Sequence, residues 1–137
     1  MASYRSFEEL PVWKSACELA TDIYRISSSG NLNRDYSLKD QIRRSVVSIS
    51  SNIAEGFERG AKKEFIQFLY IARGSCGELR SQIHIARNIT YLNNIEYKNL
   101  VNKIMLVAKQ INGFIEYLKK SKTSGQKTYE RTLAVNL

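Results

Sequence analysis

The chain is poor in the residues that interrupt helices. Pro11 is its only proline, and glycine occurs seven times in 137 residues. A proline costs a helix interior about 3 kcal/mol and a glycine about 1 kcal/mol, so their scarcity favours long uninterrupted helices over a loop-rich fold. Histidine is scarcer than most chemistry requires. With His84 alone, a two-histidine metal site is impossible, as is the doubled Glu-x-x-His arrangement of di-iron proteins. Cys17 and Cys76 are the only cysteines, and two thiols in different helices with no second pair make no zinc site. A Cys76–His84 nucleophile pair fails on distance, because eight residues along one helix is about 12 Å of rise. Neither a Gly-x-Gly-x-x-Gly run nor a phosphate-loop pattern is present. No enzyme activity, cofactor or metal is therefore expected.

Long apolar runs are missing too. No stretch of about 18 apolar residues occurs, and Met1 to Ser6 has no apolar run of leader length. The expectation is a soluble, cytoplasmic protein that engages no membrane. The two cysteines stand at apolar helix positions and read as small buried hydrophobes in a reducing compartment, with a disulfide between them left open.

What the chain has in excess is positive charge. It carries 21 Lys plus Arg against 13 Asp plus Glu, a formal charge of +8. Such a chain attracts polyanions, nucleic acid first among them, unless the charge serves only solubility. Its length fits one domain that buries roughly two thirds of its unfolded surface without staples.

Apolar residues recur with helix period throughout. A first helix is expected over about 7–28, opened by a capping-box pattern at Ser6-Phe7-Glu8-Glu9 and closed by Ser27 to Asn31. Its stripe is Val12, Ala16, Leu19, Ile23 and Ile26. A second is expected over about 37–58, capped by Ser37 and ended by Gly60. Its stripe mixes Leu38, Ile42, Val46, Ile49, Ile53 and Phe57 with Ser45 and Asn52, which implies close backbone approach or a polar network.

The third and longest helix is expected over about 61–92, about 48 Å if straight. Phe65, Leu69, Ala72, Cys76, Leu79, Ile83, Ala86 and Thr90 alternate steps of four and three, a heptad seam that predicts left-handed winding. Gly74 and Gly77 lie inside it, where a tight crossing or a kink would justify them. A fourth helix is expected over about 94–120, capped by Asn94, with Leu100, Ile104, Val107, Ile111, Phe114 and Leu118 on its seam. The fold class expected is all-α: an antiparallel, up-down-up-down, left-handed four-helix bundle over 1–121. Residues 122–137, with Lys122, Lys127 and Arg131, read as a flexible basic tail.

Three groups of residues invite a function. Arg73, Arg80 and Arg87 stand seven apart on one face, with Arg43, Arg44, Lys62 and Lys63 as further clusters; arginine forks suit phosphates, although a solvated face crossed by salt bridges has the same pattern. Asn52, Glu55 and Glu78 fall in small, polar parts of their helices. They read as a polar network that fixes register, with Glu55 or Glu78 as a buried acid paired with an arginine such as Arg43 or Arg44, rather than as catalytic acids. Ile66, Tyr70, Ile71 and Ile85, with Tyr91, Val47 and Tyr97, lie off the seams and suggest an oligomer interface or else one wide core.

Residues 41–59, with their Asn52-Ile53-Ala54-Glu55-Gly56 centre, residues 64–79, and Phe7 with Leu10-Pro11-Val12-Trp13-Lys14 resemble the bacterial four-helix-bundle family encoded by intervening sequences in 23S ribosomal RNA genes. The resemblance covers about Phe7 to Lys120, departs where the family often has proline and this chain has Ser50, and leaves the tail outside. It implies a homopentamer. A related branch, the accessory proteins of diversity-generating retroelements, implies a reverse transcriptase and RNA or DNA as partners. It implies no catalytic residue. The function expected is a non-enzymatic, homo-oligomeric accessory protein that binds nucleic acid, or alternatively a protein-binding adaptor for a partner such as a reverse transcriptase.

Overall fold

A computed structural model describes residues 4–121; the tail expected over 122–137 lies outside the described residues. Among them the protein is all-helical, with no strand. A 3-10 turn, Phe7–Glu9, precedes five α-helices: α1 (Pro11–Ile26), α2 (Gly30–Arg34), α3 (Tyr36–Arg59), α4 (Lys62–Asn88) and α5 (Asn94–Lys120).

The helix ends depart from expectation for identifiable reasons. The first helix starts at Pro11, not near Phe7, because a proline has no N–H to offer the helix interior and pushes its predecessor out of the helical region. Leu10 accordingly has extended backbone and is fully buried. The Glu9 carboxylate still turns back, accepting from the backbone N–H of Arg5 and Ser6, and holds the 3-10 turn. The connection after α1 contains a short helix, α2, that buries Leu32. Asp35, not Ser37, caps α3: its carboxylate accepts from the Leu38 N–H at 3.0 Å. Asn93, not Asn94, caps α5, in a reciprocal box with Glu96.

Helix α4 stops at Asn88, four residues short of the expected end. Thr90, expected on the seam, is instead exposed at φ 66°, in left-handed backbone. The Tyr91 N–H reaches the Ala86 carbonyl at 2.8 Å and the Thr90 N–H reaches Arg87 at 2.9 Å, the paired bonds of a Schellman C-cap. Glycine normally fills that left-handed position, and a β-branched residue there is strained. Thr90→Gly should therefore raise stability by about 1 kcal/mol, seen as a higher midpoint in thermal unfolding followed by circular dichroism.

The seams otherwise fall where the apolar spacing put them, except that Ile26, Leu38 and Phe114 are only half-buried at the edge of the core. Val12, Ala16, Leu19 and Ile23 of α1 are buried, as are Ile42, Val46, Ile49 and Ile53 of α3. On α4 the run from Phe65 through Ala86 is buried at every seam position, and on α5 Leu100, Ile104, Val107, Ile111 and Leu118 are. Phe65 is the aromatic centre: its ring meets Phe57 of α3 edge-on at 5.9 Å and Phe114 of α5 at 5.3 Å.

The contact between α3 and α4 carries both of the features expected of a small, polar stripe. Ser48 Oγ lies 2.9 Å from Ser75 Oγ, Asn52 donates to Ser48 at 2.9 Å, and Ser45 donates to Glu78 at 3.1 Å. Gly56 marks the closest approach, because a Cβ there would lie 2.6 Å from Phe68 Cβ and 2.9 Å from Phe65 Cδ1. Gly74 and Gly77 mark no such crossing: a Cβ at either meets nothing within 4 Å.

Candidate nucleic-acid interface

The heptad spacing of Arg73, Arg80 and Arg87 places them along the α4 edge that faces α5, about 10.5 Å apart along the axis. Each reaches across to a neutral group on α5. Arg73 donates to Asn112 at 2.9 Å, Arg80 lies against the Met105 sulfur, and Arg87 donates to Asn94 at 3.1 Å. Two of them also cover tyrosine rings, Arg73 over Tyr70 at 4.7 Å and Arg87 over Tyr97 at 4.8 Å. None of the three has a carboxylate within ion-pair distance among the described residues. Their charge is held in place by neutral partners and left uncompensated, which is the condition for attracting an anion.

The surrounding charge reinforces this. Residues 4–61 hold eight basic and eight acidic side chains, whereas residues 62–121 hold ten basic and four acidic. All the excess positive charge of the described residues therefore belongs to α4 and α5. That segregation is legible in the sequence once the chain is divided at Gly60.

The other expected contacts divide. Arg43 is absorbed by the fold: it donates to Ser27 Oγ at 2.8 Å and Ser28 Oγ at 3.0 Å, reaches the Tyr24 carbonyl at 3.3 Å, and lies over the Tyr24 ring. It thereby caps the carbonyl end of α1. Arg44 is exposed and pairs with Asp40 at 2.8 Å. Lys62 donates to the Ser121 carbonyl at 2.8 Å, closing the end of α5. Lys63 is exposed in the first turn of α4.

Asn52 does sit in a polar network, with Ser48 and Ser75, and Glu78 holds Ser45. Glu55 is outside it, exposed and paired with Arg59 at 2.9 Å. Neither carboxylate is buried, and neither meets Arg43 or Arg44. Of the off-seam apolar residues, Ile66 and Tyr70 pack half-buried against the core, whereas Ile71, Ile85 and Val47 are exposed. Tyr91 donates to Asp35 at 3.0 Å, and the acceptor carboxylate raises the tyrosine pKa.

The groove between α4 and α5 contains two adjoining depressions that share Gly77 and Arg80. One, of about 150 Å³, is lined by Arg73, Cys76, Ile104, Met105 and Ala108. The other is lined by Ser81, His84 and Tyr97, with His84 Nδ1 3.2 Å from the Tyr97 hydroxyl. The α5 contributors Asn94, Met105 and Asn112 escaped sequence reasoning, because their role depends on which α5 face meets the arginines. Both cysteines are free. Cys76 is buried, and that burial pushes its thiol up to about 12, so it stays protonated and unreactive at neutral pH. Cys17 is half-buried and shifted in the same direction by burial. Among the described residues no grouping of three His, Cys, Asp or Glu side chains could hold a metal, and no helix is long and apolar enough to cross a membrane.

These features define a basic protein whose described residues are all-helical and gather no metal-binding cluster. More particularly, the chain belongs to the 23S rRNA-intervening sequence protein family, whose model matches residues 8–113. A solved relative in fold is a protein of unknown function from the S23 ribosomal protein family of Bacteroides thetaiotaomicron. It is 24% identical with a TM-score of 0.69, over 76% of this chain and 97% of that one. No curated protein matches. Neither the family's description nor that relative names a reaction.

Proposed function

We propose that this protein is a non-enzymatic, cytoplasmic, homopentameric accessory protein that binds nucleic acid through the α4–α5 face. Its four long helices form an antiparallel, left-handed up-down-up-down bundle. The observation that carries the binding reading is the row of Arg73, Arg80 and Arg87, held by neutral side chains and without a carboxylate partner among the described residues. The reverse order in which α4 and α5 residues pair, Arg73 with Asn112 and Arg87 with Asn94, supports the antiparallel arrangement.

Binding of this kind releases counterions, so affinity falls with salt by a log–log slope of about 0.7 to 0.9 per phosphate contacted. Fluorescence anisotropy with labelled RNA and DNA across a salt series measures that slope. Replacing Arg73, Arg80 and Arg87 together by Ala should make it shallower by about 2 to 3 and weaken binding across sequences alike. Absence of binding by the wild-type protein at low salt would overturn the reading.

A second reading is a protein-binding adaptor, for a partner such as a reverse transcriptase. Exposed Ile71, Ile85 and Val47 favour it, because single-chain packing leaves them uncovered. Recovery of one protein partner after nuclease treatment, from a chain that binds neither RNA nor DNA itself, would favour this alternative.

A further inference from the structure

Gly77 is not explained by the packing of its own chain. A glycine inside a helix costs about 1 kcal/mol relative to alanine. At Gly56 that cost is offset by the close approach of α4, where a Cβ would collide with Phe68. At Gly77, in the middle of a 27-residue helix, a Cβ would meet nothing within 4 Å. What the missing side chain leaves open is the groove itself: the cavity of about 150 Å³ lies against Gly77, with an apolar lining and two guanidinium groups, Arg73 and Arg80.

An apolar slot between two uncompensated cations suits a flat, weakly polar group carried between two phosphates. A nucleobase in a single strand is such a group. In a duplex the base faces are already stacked, so only the phosphates remain within reach of the arginines. The adjoining depression, with His84 and Tyr97, continues the groove along the same line of α4.

We propose that the α4–α5 groove is a single-strand site: one unstacked nucleobase enters the cavity over Gly77, and Arg73 and Arg80 hold the phosphates on either side of it. The inference rests on the nucleic-acid reading above and specifies the substrate class of that same face.

Gly77→Leu tests it. Leucine is a better helix former than glycine, and the position has room for a Cβ, so the variant should melt no lower than the wild type while its side chain fills the slot. The full-length proteins are compared by anisotropy on four labelled probes of about 20 nucleotides, a length that spans one such groove: oligouridylate, oligothymidylate, an abasic strand and duplex RNA. The wild type is expected to bind the base-bearing single strands about fivefold or more tighter than the abasic strand. Gly77→Leu should abolish that preference and leave duplex binding unchanged, and Gly77→Ala should lie between. A uridylate–thymidylate difference shows that the 2′-hydroxyl or the thymine methyl also enters the groove's recognition; equal binding shows that base and phosphate suffice.

Two results overturn the single-strand site while leaving the nucleic-acid reading standing. One is wild-type binding of the abasic strand as tight as that of oligouridylate. The other is base-bearing single strands bound equally by Gly77→Leu and wild type. Failure to bind any of the four probes overturns both.

Discussion

Gly56→Ala is expected to lower stability by about 2 kcal/mol, although it exchanges a poor helix former for the best one. Propensity alone would raise stability by about 1 kcal/mol. Against it stands a Cβ placed 2.6 Å from Phe68 Cβ and 2.9 Å from Phe65 Cδ1. The Phe65 ring can tilt, but Phe68 Cβ is fixed to the α4 backbone, so α3 and α4 must move apart. Those two helices share the Ser48–Ser75 and Ser45–Glu78 hydrogen bonds, which lengthen when the helices separate. Gly74→Ala is the control of opposite sign. Its Cβ meets nothing within 4 Å, so propensity acts alone and stability should rise by about 1 kcal/mol. Urea unfolding of both variants, read by circular dichroism, decides the matter. A Gly56→Ala protein as stable as the wild type would show that α3 and α4 do not depend on this approach.

Phe65→Ala should cost more, about 4 kcal/mol. The side chain is completely buried, and its ring touches Phe57 on α3 and Phe114 on α5. Removing it opens a cavity where three helices meet and leaves Phe57 without its edge-to-face partner and Phe114 without its tilted one, so the site collapses poorly. Combined with Gly56→Ala, the losses should fall short of additive, because the truncated side chain no longer occupies the space that the new methyl needs. A loss under about 1 kcal/mol for Phe65→Ala, in the range of a surface change, would remove Phe65 from the centre of the core.

Much of this core could be read from spacing. The four–three steps of α4 and α5 fix which residues share a face, and burial follows at every α4 seam position from Phe65 to Ala86. Helix ends were harder. Asp35 and Ser37 both offer a capping oxygen, as do Asn93 and Asn94, and which one caps depends on where the backbone leaves the helix. Thr90 continued the apolar rhythm yet lies outside α4, because the rhythm records side chains and not the C-cap bonds to Ala86 and Arg87. The glycines show the same limit. A sequence displays four glycines in long helices, Gly56, Gly74, Gly77 and Gly113, without showing that among them Gly56 alone faces another helix closely.

The candidate site was legible to a similar depth. Seven-residue spacing put Arg73, Arg80 and Arg87 on one face. Nothing local reveals that Arg43 turns to the end of α1, or that Lys62 meets Ser121, since both contacts join segments distant in the chain. The absence of carboxylate partners for the three arginines among the described residues is likewise a tertiary fact.

The segregation of charge has one more consequence. With residues 4–61 balanced and the surplus of the described residues confined to residues 62–121, the described residues carry a permanent electric dipole pointing toward the α4–α5 side. A polyanion exerts a torque on such a dipole before it touches the surface, within about a Debye length of 8 Å at physiological ionic strength. The protein should thus arrive already turned, so that fewer collisions are wasted on its balanced side. The same torque weakens as salt shortens that range, which makes the rate of association, and not only its strength, a function of ionic strength.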